Sequence, residues 1–258
     1  MGAFIMAALS STATAGTYFQ NFDGFADGTT NLGDGSQMNG TASVQGGQLE
    51  LTRDGVAGGF ASFIIPGVWG STTGWTATFD LTITDGAGAN PPADGLSFNY
   101  GNFGLGELGS AEEGMAGAGG VTENLSFEID TWMNFDAEQG VNIAEKVDGA
   151  NGELAGTNGP ILDDGTTVSG VATMSWDPIN GASFSTTGLQ TNANFANVPT
   201  SFTESESLFF GLSARVGGAN QTTLVDNLRI QTVPEGGQSA LMLGLALSTL
   251  LALRKRVS

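Results

Sequence analysis

A chain of 258 residues with 40% hydrophobic and only 13% charged residues is long enough to bury a sizeable core and too apolar for a disordered tail. Seven Lys and Arg stand against 26 Asp and Glu, a balance that repels nucleic acid, and three of the seven bases are Arg254, Lys255 and Arg256. With no His and no Cys, a Ser-His-Asp triad, a His-ligated zinc site, thiol catalysis and disulfides are excluded, which leaves carboxylate chemistry, oxygen-ligand metal binding, or binding without catalysis.

The N-terminal stretch Ala3 to Leu9 is apolar and leads to Ala13-Thr14-Ala15, an A-x-A pattern before Gly16. Residues 1–15 therefore read as a signal peptide. The alternative is a buried N-terminal strand.

From Tyr18 to Thr232 the pattern is one of strands and turns. Asp-Gly occurs eight times, at Asp23, Asp27, Asp34, Asp54, Asp85, Asp94, Asp148 and Asp164, and this dipeptide favours tight turns. Between turns the segments Gln48 to Thr52 and Trp75 to Ile83 alternate apolar and polar residues, the period of a half-buried strand. Further strand-like runs cover Gly95 to Tyr100, Leu125 to Trp132, Val141 to Val147, Val168 to Trp176, Ala182 to Thr186, Leu208 to Ala214 and Thr223 to Gln231. No amphipathic helix of ordinary length intervenes and no fixed repeat is present, so the expected fold is all-β, an antiparallel β-sandwich over residues 16–232. Glu107 to Gly120 and Asp148 to Asp164 read as the loosest loops, where function tends to sit.

Gly104-Leu105-Gly106-Glu107-Leu108-Gly109 matches G-x-G-x-x-G in form only, because Ser110 to Gly120 is too Gly-rich to supply the helix that a dinucleotide loop needs. The more informative segment is Phe127 to Asn142. On a strand, Glu128, Asp130 and Trp132 share one face, and the first two Cα atoms lie about 6.6 Å apart. Two carboxylates that close favour a cation between them, and Asn134, Asp136 and Glu138 add oxygen donors of the kind calcium takes. A solvated acidic strand end is the alternative. The offsets from Asn134 to Glu145 also imitate an EF-hand, but Gln139 stands where its turn needs Gly.

The motifs Ala93-Asp94-Gly95-Leu96-Ser97-Phe98, Gly119-Gly120, Phe127 to Trp132 and Phe210-Gly211-Leu212-Ser213-Ala214 fall in an order that resembles the legume-type (L-type) lectins and their concanavalin A-like relatives. That resemblance implies a jelly-roll sandwich that binds carbohydrate. It implies sugar contacts by Asp94, by a backbone amide of Gly119 or Gly120 and by Asn134, with Gly218 in the loop that sets specificity; beside these, the Trp132 ring would offer an apolar face to a sugar's C–H groups. It implies calcium held by Glu128, Asp130, Asn134 and Asp136, with the family's metal-binding His replaced at about Asn142. The competing reading of Asp94 is a plain Asp-Gly turn residue.

The laminarinase-type glycoside hydrolases share the sandwich and the E-[ILV]-D strand. Retaining hydrolysis needs a second carboxyl group about 5 to 5.5 Å from the first, and Thr131 to Asn134 offer none. Binding is therefore expected in place of catalysis, with a structural matrix protein or a degenerate hydrolase as alternatives.

At the C-terminus Val233-Pro234-Glu235-Gly236 precedes an apolar run from Ala240 to Leu253 and the basic triplet. Fourteen residues would rise about 21 Å as a helix, short of the ~30 Å of a bilayer core unless the preceding residues help. Bases after the run fit a cytoplasmic stop. The set resembles the PEP-CTERM sorting signals over residues 233–258. This implies cleavage by an exosortase-type transpeptidase, transient anchoring in the inner membrane, and export to the envelope, matrix or biofilm, with an exopolysaccharide or other glycan as ligand. An ordinary tail anchor is the alternative.

Overall fold

The structure, a computed structural model, describes residues 16–66, 72–85, 92–109, 123–132, 139–147, 150–204 and 208–234. Its strands are β1 (Thr17–Gln20), β2 (Gln37–Gly40), β3 (Ser43–Gln45), β4 (Gln48–Thr52), β5 (Phe60–Pro66), β6 (Thr72–Thr84), β7 (Gly95–Gly101) and β8 (Asn124–Asp130). There follow β9 (Gly140–Val147), β10 (Ala150–Asn158), β11 (Thr167–Asp177), β12 (Gly181–Thr187), β13 (Asn194–Val198), β14 (Phe209–Arg215) and β15 (Thr222–Pro234). No helix occurs among the described residues, none therefore being long and apolar enough to cross a membrane. The apolar run 240–253 lies outside them.

Two antiparallel sheets face each other. One has eight strands, ordered β13-β12-β11-β6-β15-β4-β3 with β1 also on β15; the other has seven, ordered β10-β9-β8-β7-β14-β5-β2. Alternation decides what fills the space between them. Trp75, Ala77, Phe79, Leu81 and Ile83 point inward from β6, and Leu96, Phe98 and Tyr100 from β7. Trp75 anchors this core, with its ring 5.3 to 5.7 Å from those of Phe98, Tyr100, Phe127 and Phe210. The alternate residues of β6 face outward and bond across to β11, as in Thr82 with Ser169 and Thr84 with Thr167 at 3.0 Å each.

The structure departs from simple alternation in three places. In β15 a bulge between Asp226 and Arg229 puts Asn227 at φ 50° and brings both Val225 and Leu228 inward, so the phase of burial changes within one strand. The stretch Asp148 to Asp164, expected to be loop, contains β10, a nine-residue edge strand paired only with β9. The closing strand runs to Pro234, so Val233 and Pro234 of the expected sorting motif are the last residues of β15, where Pro234 lies opposite Thr72 of β6. Glu235 and Gly236 lie outside the described residues.

At β5, β14, β7 and β8 both faces of the seven-stranded sheet are buried. Asn39, Ser62, Ser213, Ser97, Glu128 and Asn142 occupy successive strands in one cross-strand rank on the face away from the core. Such polar groups can stay dry only when they bond to one another. The Ser97 and Ser213 hydroxyls share a hydrogen bond of 2.9 Å, and Asn99 donates to Ser97 at 3.0 Å while accepting from Ser126 at 3.0 Å. Asn39 donates to Ser62 and to the Leu105 carbonyl, which fastens the 102–109 loop over one end of this face.

Candidate functional site

One rank further along the same face, Phe60, Arg215, Gly95, Asp130 and Gly140 lie side by side on β5, β14, β7, β8 and β9. This rank forms the mouth of the sheet. Gly95 is required there. Its φ is +129°, and a Cβ would lie 2.3 Å from the Ile129 carbonyl oxygen, so β7 can approach β8 only without a side chain.

Asp94 precedes that glycine and is joined to Ala93 by a cis peptide bond. Its amide donates to the Arg215 carbonyl at 3.0 Å, and its own carbonyl accepts from Thr131 at 3.2 Å. These bonds tie it to two neighbouring strands, and Gly95 is the first residue of β7. Asp94 is therefore not a turn residue, unlike Asp54 and Asp164, whose following glycines take positive φ in turns.

The Asp94 side chain is 9% exposed, and its Oδ2 accepts from Arg215 Nε at 2.8 Å. Oδ1 accepts no hydrogen bond from the described residues. The Arg215 side chain is 30% exposed and its guanidinium carbon sits 6.0 Å from the centre of the half-exposed Phe60 ring, within cation–π range. Gly217 passes close by, since a Cβ on it would lie 3.6 Å from Oδ2, and Gly218 faces open space. The mouth thus presents a held carboxylate with a free acceptor, a guanidinium and an aromatic ring.

Thr131 and Gln221 brace this arrangement from inside. The buried Thr131 hydroxyl donates 2.8 Å to Gln221 Oε1, and Gln221 Nε2 donates to Thr223, so the end of β8 and the 216–221 turn move as one. The loop 53–59 is strapped to the same turn by Gly55 N to Asn220 Oδ1, Asp54 N to Thr222 Oγ1 and Gly58 N to Gly217 O.

Of the expected metal ligands, Glu128 and Asp130 do share a face, but β8 stops at Asp130. Trp132 is therefore not on the strand face with them, because Asp130 Oδ1 accepts from the Trp132 amide at 2.8 Å and turns the chain. Glu128 is buried and Asn142 directly opposite donates its amide to Oε2. An amide N–H offers no lone pair, so these residues do not fit a transition metal. Carboxylate oxygens suit calcium, which takes about six to eight oxygen ligands, and Glu128 and Asp130 would supply the first of them. Among the described residues no group of three or more acidic side chains gathers to hold a metal. Asn134, Asp136, Gly119 and Gly120 lie outside the described residues.

Arg215 and Phe60 were not singled out by sequence reasoning. The signal for Arg215 was its place at the end of the F-G-L-S-A run, as one of only seven bases. Phe60 gave none, since it opens a continuously apolar segment.

No protein-family model and no curated protein matches this sequence. Solved structures do match. Peanut lectin with a 9mer peptide is 18% identical, with a TM-score of 0.61 over 86% of this chain and 98% of that one. Basic winged bean lectin with Tn-antigen is 16% identical, with a TM-score of 0.64 over 84% and 98%. The fold is the legume-lectin jelly roll. The exoplasmic/lumenal domain of VIP36, in a Ca2+/Man3GlcNAc-bound form, shares it at 14% identity and a TM-score of 0.54 over 76% and 82%.

Proposed function

We propose that this jelly roll binds carbohydrate without catalysing a reaction, as a lectin-like protein exported to the cell envelope or extracellular matrix. The observation that carries the reading is the Asp94 carboxylate, held by Arg215 with Oδ1 open, beside the exposed Phe60 ring. A sugar has hydroxyl edges and C–H faces, so a carboxylate acceptor next to an aromatic ring answers both. Lectins of the same fold are described with Tn-antigen and with Man3GlcNAc, which supports a glycan ligand. Gly119 or Gly120, Asn134 and Gly218 would complete the contacts. Calcium would join Glu128 and Asp130 to Asn134 and Asp136, relieving the repulsion between the carboxylates. Residues 1–15 would direct export, and 233–258 would be removed by an exosortase-type enzyme after transient anchoring in the inner membrane.

A glycan array run with calcium and with chelator tests this reading. It expects selective binding of a small set of glycans, weakened by chelator. Binding to no glycan under either condition would favour a structural matrix protein, and release of reducing sugar would favour a hydrolase.

A further inference from the structure

The 216–221 turn is pinned to Asp94 from both of its ends. At its start, Arg215 donates from Nε to Asp94 Oδ2 at 2.8 Å, and the Arg215 carbonyl accepts from the Asp94 amide at 3.0 Å. At its end, Gln221 Oε1 accepts from the Thr131 hydroxyl at 2.8 Å, and the Thr131 amide donates to the Asp94 carbonyl at 3.2 Å. Asp94, Thr131, Gln221, the turn and Arg215 therefore close a ring. The turn depends on such pins, because Gly217 and Gly218 leave its backbone with little conformational preference of its own. It also passes near the carboxylate, since a Cβ on Gly217 would lie 3.6 Å from Asp94 Oδ2.

The pin at the far end is made of polar groups with no exposure at all. Thr131, Gln221 and Thr223 are each 0% exposed, and Gln221 uses both ends of its amide, donating from Nε2 to Thr223 Oγ1 at 3.2 Å. Opposite Thr223 on β4, the buried hydroxyl of Thr52 finds no hydrogen-bond partner among the described residues. Burying polar groups is costly, and apolar side chains of the same shape would serve stability about as well. What a hydrogen-bonded amide adds is a fixed distance and direction, which an apolar contact does not impose.

We propose that Gln221, acting through Thr131, is a positioning residue for the glycan site: it sets where the Gly217-Gly218 backbone stands beside the Asp94 carboxylate, and so which glycans the mouth prefers. The inference rests on the lectin reading above. Gln221 is sealed from solvent and touches no ligand, so its effect reaches the mouth through the turn. Binding groups have to be held to within about 0.5 Å by the residues behind them. With the pin removed, the glycine backbone would sample several paths past Asp94. Glycans that meet the turn would lose affinity, and the ranking among glycans would flatten.

The test compares wild type with Thr131→Ser, Thr131→Val and the double variant Thr131→Val/Gln221→Met. Each is run on a glycan array, by calorimetry with the two best wild-type glycans, and by thermal melting, with binding measured well below the melting point. Thr131→Ser keeps the hydroxyl and should match wild-type affinity within about twofold. The double variant removes both sides of the hydrogen bond at similar volume, so it should melt within a few degrees of wild type. It should nonetheless bind the best glycan about tenfold more weakly, with the preference between the two glycans reduced. Thr131→Val keeps the side-chain shape and the backbone bond to Asp94, and it should show the same loss if the double variant does not fold. Wild-type affinity and ranking in Thr131→Val, or an equal loss in Thr131→Ser, overturns the positioning role and leaves the lectin reading standing. Failure of wild type to bind any glycan overturns both.

Discussion

Arg215 and Asp94 lie 121 residues apart in sequence, yet their side chains meet at 2.8 Å because β14 and β7 are neighbours in register, with Arg215 opposite Gly95. The pair links sheet geometry to the candidate ligand site, since the strand that supplies the guanidinium also begins the 216–221 turn.

Arg215→Gln should lower stability by about 1–3 kcal/mol, because it leaves a nearly buried carboxylate with a weaker partner, while the arginine's partial exposure limits the loss. Urea denaturation measures this. A change within about 0.5 kcal/mol would mean that water already satisfies Asp94.

The β11–β12 hairpin makes an independent prediction about pH. Asp177 accepts hydrogen bonds from the Ile179 and Asn180 amides and from the Asn180 side chain. Burial pushes its pKa up, but these bonds outweigh it and hold the carboxyl below its ordinary 3.8. A depressed folded pKa adds stability above the unfolded value that is lost as pH falls through the folded one. Asp177→Ala should therefore cost about 1 kcal/mol at pH 7, and the gap to wild type should narrow below pH 4 as the wild-type carboxylate protonates. A gap independent of pH would show that the turn does not need the charge.

Much of the sandwich was legible because its core strands alternate. Gln48 to Thr52 is β4 as read, and the runs at Gly95, Val168 and Ala182 differ from β7, β11 and β12 by a residue or so. β5 was missed because Phe60-Ala61-Ser62-Phe63-Ile64-Ile65 has no period of two. Ile64 packs on the outer face against Phe103, so both sides of the strand are apolar. β10 was missed because Gly, Asn and Ala are poor strand formers, and its pairing with β9 overrides that preference. The alternating pattern extends the strand two residues too far, to Trp132, since nothing in the sequence announces that the Asp130 carboxylate accepts from the Trp132 amide. The strapping of the 53–59 loop onto the 216–221 turn was not legible at all. It depends on loops 53–59 and 216–221 meeting, and no local pattern encodes their contact.

Calcium should raise the melting temperature if Glu128, Asp130, Asn134 and Asp136 share an ion. A hundredfold excess over Kd would add about 2.7 kcal/mol, and Asp130→Ala should abolish the difference between calcium and chelator. Identical melting of wild type in both conditions would mean that these carboxylates hold no calcium.

The C-terminal segment predicts a processed product. In a host carrying an exosortase, intact-mass measurement should find a mature species lacking Leu241 to Ser258. A mature species that retains Arg254 to Arg256 would point to an ordinary anchor.

The central claim is that Asp94 is a sugar ligand, and the Asp94→Asn protein tests it most directly. Asparagine keeps one acceptor oxygen for Arg215 and nearly the same shape, so melting should stay within a few degrees of wild type, a loss of about 1 kcal/mol or less. The charge-assisted bond from a sugar hydroxyl to Oδ1 would be lost, and calorimetry with the best glycan from the array should show at least about a tenfold weaker affinity. Equal glycan affinity in the two proteins would contradict the account.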